Sequence, residues 1–480
     1  MNRRLALLLL AVVAVKLVFL AIDSAPSYRF DDSGTYLATA IAKWIPPDRG
    51  FVYGLLLRPL CVWTRSLMPA VYLQVALSGL AAWLVAFALV RFFAAEFRLA
   101  AGLSLACALE PLQLVSERYM LTEAIGTFVF AVLLVAAFTY LRTSSLSILA
   151  LIQMLGVFLV SLRVKWLLLA VTLSILLPLF SRRALSVWRT FRRRRDFGRA
   201  LRFVAIPLIF SVGLSQVMLF GYRLLYGALT DGPPGYTHAD GFFLAAELAP
   251  VVDPGAFPAP SMRDAVFRDL TYPLADPDLR YAQRLLPGGL DNAIERACGG
   301  RAIEANRLAH ITAVNALREH AVAAARLAVT TYDEYFDYSK AKANLLFEQR
   351  GIAPLPRDVD MMKLVFGADV RQRNISSATK TWELWAIPWY WFLLFLPFIY
   401  MLALLAVPKR VLPAHIICAV CAMIFVFNAV VPVELADPRY LTTLAWLAFV
   451  LIGSLFSRRV RRTAPTVERP AFQVATDHAA

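Results

Sequence analysis

Two adjacent carboxylates, Asp31 and Asp32, stand in the segment Phe30-Asp31-Asp32-Ser33-Gly34-Thr35-Tyr36, a few residues beyond an apolar stretch at 5–22. A carboxylate so close to hydrocarbon is costly unless it has a partner or a task. The task available to it is to take a proton from a hydroxyl. Other charged residues mark the ends of later apolar stretches: Arg58, Glu117, Arg118, Glu123, Arg163, Lys165, Glu434, Asp437 and Arg439, with Tyr440 beside the last. Facing lipid there would be penalised, so they are expected to face one shared cavity. Acids and bases together suit a substrate with both phosphate and hydroxyl groups. Arg and Lys would hold the phosphate while a carboxylate accepts the hydroxyl proton.

Plainer readings stand beside these. Arg163 and Lys165 run against the positive-inside bias, and either snorkel to headgroups or bind a lipid phosphate. Arg439, in Asp437-Pro-Arg-Tyr440, contacts substrate or pairs with Glu434 or Asp437. Glu123 is either a reacting acid or a carboxylate favoured by a helix N-terminus. Arg58 lies in a short apolar segment that would run along the membrane interface.

The elements that must position these groups are membrane spans. Of 480 residues, 59% are hydrophobic and 17% charged, against roughly 25% charged in soluble domains. Ten spans are expected, near 5–22, 69–93, 99–115, 122–141, 145–161, 165–180, 203–226, 384–406, 411–431 and 439–457. The first is an uncleaved helix rather than a signal peptide, since Lys16 interrupts it and the cleavage pattern is poor. Residues 23–68 form a first outer loop with a short amphipathic helix near 34–44. The net charge of +16 concentrates in short loops. Residues 182–202 alone hold nine arginines and one acid, Asp196. That pattern marks a cytoplasmic face against anionic headgroups rather than a nucleic-acid surface. Both termini then fall in the cytoplasm.

The chain divides into an N-terminal membrane module (1–227), a mostly helical periplasmic domain (228–380), C-terminal spans (381–457) and a cytoplasmic tail (458–480). The periplasmic domain should contain one long helix over 302–335, with alternating charged and apolar faces. No proline- or glycine-interrupted pair of spans and no half-to-half repeat is apparent.

Five scattered cysteines imply no disulfide framework, and Cys418-Ala-Val-Cys421 reads as helix packing rather than half a metal site. The five histidines lack ligand spacing. There is no glycine-rich phosphate loop, nucleophile elbow or HExxH. Nucleotide-driven chemistry is therefore not expected, and an outward-facing site would need a lipid-carried donor. Asn374-Ile-Ser376 matches a glycosylation sequon.

The order and sidedness of these residues resemble the membrane glycosyltransferases of the GT-C fold, in the branch of protein O-mannosyltransferases and aminoarabinose transferases acting on lipid A. The matching elements are the acidic pair Asp31-Asp32 in the first outer loop, Arg118-Tyr119 followed by Glu123 at the fourth span, and Arg439-Tyr440 near the last span. The family's second acid is often Asp; here it is Glu123, with Glu117 a competitor. The resemblance covers residues 1–227 best. It implies a GT-C-like bundle in the inner membrane and transfer of one sugar, with inversion, from a polyprenyl-phosphate carrier to a hydroxyl of a lipid, glycan or protein. Asp31 or Asp32 would be the general base, Asp31 preferred as first in the motif. Arg58, Arg163, Lys165 and Arg439 would stabilise the leaving phosphate. No cofactor is expected, since these cations can stand in for a metal. A flippase for the same lipid-linked saccharide and a polysaccharide polymerase or ligase are the other readings.

Overall fold

A computed structural model describes residues 3–28, 32–187, 198, 201–349, 356–367, 377–431 and 436–463. Among them the chain is helical throughout. Strand-like pairing is limited to an isolated parallel bridge between Ser27 and Tyr119.

Six helices are long and apolar enough to cross a membrane: α1 (Arg3–Ile22), α4 (Met68–Phe92), α7 (Glu123–Thr143), and those within Leu201–Leu229, Leu412–Val430 and Pro438–Phe456. A seventh is counted if the bent pair Ile387–Leu394 and Leu396–Ala406 is one span. This is an all-α membrane protein, with fewer full-length spans among the described residues than the ten expected. The differences have local causes. The expected third span ends early: α5 (Phe97–Ala108) is followed by Glu110, whose carboxylate accepts from Gln113 N at 2.7 Å and caps α6 (Pro111–Ser116). Pro111 sits in the first turn of α6, where its missing N–H costs nothing. The expected fifth and sixth spans are α8 (Leu146–Leu162), 17 residues, and α9 (Leu167–Phe180), 14 residues. At 1.5 Å per residue they fall short of a hydrocarbon core about 30 Å thick. The eighth bends by 54° around Phe395, just before Pro397, so one proline-interrupted helix does exist.

Short turns fold these helices into antiparallel neighbours. Ser144, left-handed at φ 54°, joins α7 to α8, and Ala94 at φ 55° lies between α4 and α5. The last helix, Thr442–Thr463, returns to the N-terminal bundle. The Trp446 indole N–H donates to Ala81 O at 2.9 Å, and a Cβ on Gly453 would meet the Leu89 side chain at 2.4 Å. Phe130, Trp166, Phe425 and Trp446 pack ring to ring and tie four elements together.

A helical region over 240–334 has its own apolar core, including Ala245, Val266, Ile294, Ala309 and Ala313. The long helix expected there is two, Ala302–Glu319 and Ala321–Glu334. The backbone leaves helical geometry at His320 (φ −121°, ψ 37°), whose imidazole Nε2 lies 2.8 Å from Asp253 Oδ2. All five cysteines are buried and free.

Candidate functional site

The first loop folds back on itself to present its acid. Asp32 opens α2 (Asp32–Ala42), and α2 packs on α3 (Val52–Leu57) through Gly54, where a Cβ would lie 2.5 Å from that of Thr39. The connecting segment brings back Arg49. Its guanidinium bonds Asp32 Oδ1 at 2.8 Å, takes Asp48 as a second partner, and lies over the Tyr36 ring at 5.6 Å. Burial pushes the Tyr36 phenol up to about 12. Gly50 then abuts the end of α8: a Cβ there would stand 2.2 Å from Ser161 O, so no larger residue fits without moving one element.

From the other direction comes the turn before the last helix. Arg439 Nη1 bonds Asp32 Oδ2 at 2.8 Å, its Nε lies 2.7 Å from Asp437 Oδ2, and its Nη2 donates to Tyr440 Oη at 3.1 Å. Asp32 is thus gripped on both oxygens by two guanidiniums, a strong charge-assisted arrangement. The Tyr335 hydroxyl lies 2.9 and 3.1 Å from Ala429 O and Asp437 O, with one proton to share between them, and Asn344 donates to Ala436 O at 2.7 Å. The position of Arg439 therefore depends on helices far away in the chain.

Glu123, first residue of α7, pairs with Arg163 in the turn between α8 and α9. Its second oxygen, Oε2, is buried with no hydrogen-bond partner. Lys165 Nζ faces the rings of Tyr440 at 5.5 Å and Trp166 at 6.0 Å, and Asn428 fixes the Lys165 backbone carbonyl at 2.9 Å. No carboxylate among the described residues lies within ion-pair distance of that ammonium. Arg163 and Arg439 also lie over the Tyr440 ring, at 5.8 and 4.9 Å, so three cations lie against one aromatic ring.

Asp32, Glu123, Arg163, Lys165, Arg439 and Tyr440 are therefore gathered at one end of the bundle. Three other sequence candidates have different partners. Arg58 Nη1 donates to Ala40 O at 3.0 Å and Ile41 O at 3.3 Å; it closes the C-terminal end of α2 instead of joining the cations. Glu117 pairs with Lys16, which lies inside α1, and lies 3.4 Å from Arg118, whose Nε donates to Asp23 O. Both are essentially inaccessible and serve the junction of α1, α4 and α6. Asp31 and Glu434 lie outside the described residues, as do Asn374 and most of the arginine run.

Arg49 and Asp48 are the residues that sequence reasoning missed. The available signal was a charged pair followed by glycine, Asp48-Arg49-Gly50, in a mostly apolar stretch.

A void of about 20 Å³, bounded by Glu123, Glu383, Arg439 and Thr442, has room for one water rather than a sugar. A second cavity, about 190 Å³, adjoins Asp48 and is lined by Phe242, Arg284, Asn292 and Glu295 from the helical region. Elsewhere Asp253, Glu319 and His320 have the spacing of metal ligands, on the surface of the helical region.

The gathered groups can do two things together. The cations can hold an anionic leaving group, and an acid beside them can accept a proton. No protein-family model, curated protein or solved structure matches this chain.

Proposed function

We propose that the chain is a membrane glycosyltransferase of GT-C type, with ten spans in an inner membrane and cytoplasmic termini, that moves a single sugar from a polyprenyl-phosphate carrier to an acceptor hydroxyl at the outer surface. Three of the shorter apolar helices, Phe97–Ala108, Leu146–Leu162 and Val164–Phe180, and the bent pair supply the remaining four spans in this reading. One observation carries it. Among the described residues, an ammonium without a carboxylate partner, Lys165, and a buried carboxylate oxygen without a donor, Glu123 Oε2, occur in one cluster with Asp32, Arg163 and Arg439. That is the complement of a phosphate and a hydroxyl.

In this mechanism Lys165, Arg163 and Arg439 bind the carrier phosphate and take up its growing negative charge as the glycosidic bond to phosphate breaks. The acceptor oxygen attacks the anomeric carbon from the opposite face and its proton passes to a first-loop carboxylate. Asp32 already spends both oxygens on Arg49 and Arg439, so Asp31 is the base and Asp32 the residue that orients the two guanidiniums. Glu123 Oε2 accepts from a sugar or acceptor hydroxyl, and the cavity beside Asp48 receives the acceptor. In this reading the three cations do the work that a divalent metal would otherwise do at the phosphate.

The test is sugar transfer in nanodiscs from polyprenyl-phosphate hexoses, with Asp31→Asn and Asp32→Asn made singly. Asp31→Asn should lower turnover by ~10²–10⁴, the usual worth of a general base. Asp32→Asn should chiefly raise the donor KM. Undiminished turnover in both variants would rule out the mechanism. The 54° break in the helix pair favours a second reading, a flippase for the same lipid. It predicts carrier translocation in liposomes with no sugar-transfer product.

A further inference from the structure

A large cavity lies at the opposite end of the bundle. It measures about 910 Å³. Helix α7 starts at Glu123 and reaches Arg142 near its end, and α9 runs from just after Lys165 to just before Arg182. Twenty residues of helix span about 30 Å, so this cavity and the Asp32 cluster are separated by roughly a hydrocarbon thickness.

Its rim is built from one sign of charge. Arg91, Arg142, Arg182, Lys409 and Arg410 line it, and among the described residues no Asp or Glu does. None of the five forms an ion pair among the described residues. They come from four separate segments of the chain. Arg142 is fixed: it donates to Arg91 O and Phe92 O at 2.9 and 2.7 Å, satisfying carbonyls at the end of α4, and its guanidinium lies 4.9 Å from the Phe92 ring centroid. Arg91 and Arg410 both repel it. The inner wall is apolar, with Phe92, Phe93, Phe138 and Leu141.

Positive-inside bias accounts for basic residues in these loops. It does not account for their meeting around one concavity with an aromatic wall, where like charges repel unless an anion sits between them. Basic pockets between membrane helices on the cytoplasmic side suit phosphate headgroups. A volume of about 910 Å³ far exceeds one phosphate and includes room for a glycerol backbone and the first acyl carbons against the phenylalanines.

We infer that this cavity is a binding site for an anionic phospholipid headgroup bearing one or two phosphates, drawn from the leaflet opposite the Asp32 cluster. The inference does not depend on sugar transfer.

Native mass spectrometry of the full chain, delipidated and then titrated with phosphatidylglycerol, diphosphatidylglycerol or phosphatidylcholine, tests it. Anionic lipid should be retained roughly tenfold or more over phosphatidylcholine. The triple change Arg91→Gln, Arg182→Gln, Arg410→Gln should lower that retention by roughly tenfold or more, leaving the helix-capping Arg142 intact. Lys409→Gln alone, in an exposed turn, should lower it about threefold and guards against misfolding of the triple variant. Arg98→Gln, an exposed basic residue near the same helix ends but outside the cavity lining, should leave it unchanged. Equal loss from Arg98→Gln, no loss from the other variants, or equal retention of phosphatidylcholine would each overturn the site. Displacement of the lipid by millimolar inorganic phosphate or diphosphate would also overturn it, by assigning the cavity to a soluble anion.

Discussion

Two charged clusters sit near the same end of the bundle, and they are built to opposite specifications. In the first, Lys16, Glu117 and Arg118 are 2%, 0% and 2% exposed. Lys16 and Arg118 both engage Glu117, and Gln74 donates to the carbonyls of Glu117 and Tyr119 at 3.0 Å each. In the second, among the described residues, Glu123 leaves an oxygen open and Lys165 lacks a carboxylate, and Arg163 is 22% exposed at its side chain. A satisfied buried network fixes geometry and can do nothing else. An incompletely satisfied one, reachable by solvent, has bonding capacity left for a ligand. The difference separates framework from site more reliably than residue type, since both clusters contain the same kinds of side chain.

The comparison is broken most directly at Lys16. Lys16→Met leaves the Glu117 carboxylate buried with only the longer Arg118 contact, and should cost ~3–5 kcal/mol of stability. The Ser27–Tyr119 bridge lies beside this network, since Ser27 N donates to Arg118 O at 2.8 Å. Lys16→Met combined with Glu117→Leu should recover part of the loss. Thermal unfolding in detergent measures both. A melting point unchanged by Lys16→Met would show that the first cluster is not framework.

Glu123→Gln is the matching change in the second cluster. The amide keeps the shape and a hydrogen bond to Arg163, which water can also reach. Stability should fall by less than in Lys16→Met, while sugar transfer falls about 10–100-fold. A stability loss as large as that of Lys16→Met with transfer per folded molecule intact would move Glu123 into the framework.

Much of this was legible in the sequence, because burying charge in a membrane is expensive. Asp32, Glu123, Arg163, Lys165 and Arg439 lie at helix ends, where hydropathy sets the position, and hydropathy is a local signal. The two framework residues Glu117 and Arg118 carry the same signal. Their partners, Lys16 and the Asp23 carbonyl, are about a hundred residues away, and nothing local distinguishes an acid that is already paired. Arg49 was missed for the converse reason. It lies in a loop, and only the return of α3 on α2 through Gly54 places it against Asp32. Helix boundaries depart from the expected spans where a side chain interrupts a helix without changing mean hydropathy, as Glu110 does before Pro111 and Pro397 does beyond Phe395.

Arg58 offers a smaller test of the same distinction. Two carbonyls at the end of α2 accept from it, so Arg58→Gln should cost about 1 kcal/mol. The donor KM should stay within twofold of wild type. A tenfold rise in KM with an unchanged melting point would return Arg58 to the proposed phosphate site and weaken the rule that satisfied cations are structural.

The smallest effect is expected in the helical region, where Asp253 and His320 bond each other at its surface. The imidazole holds the Asp253 carboxyl below its ordinary range. A carboxyl whose folded-state pKa is depressed stabilises the fold fully above the unfolded-state value, near 3.8, and loses that contribution as pH falls through the folded-state value. Both side chains are more than a third exposed, so the contribution is screened and should stay below about 0.5 kcal/mol. Asp253→Asn should therefore lower the melting point slightly at neutral pH, and the gap from wild type should close in acid. A gap that widens in acid would mean that the bond to His320 is not its source. A large gap at neutral pH would mean that the break at His320 between the two helices is held by this bond rather than by the apolar core beneath it.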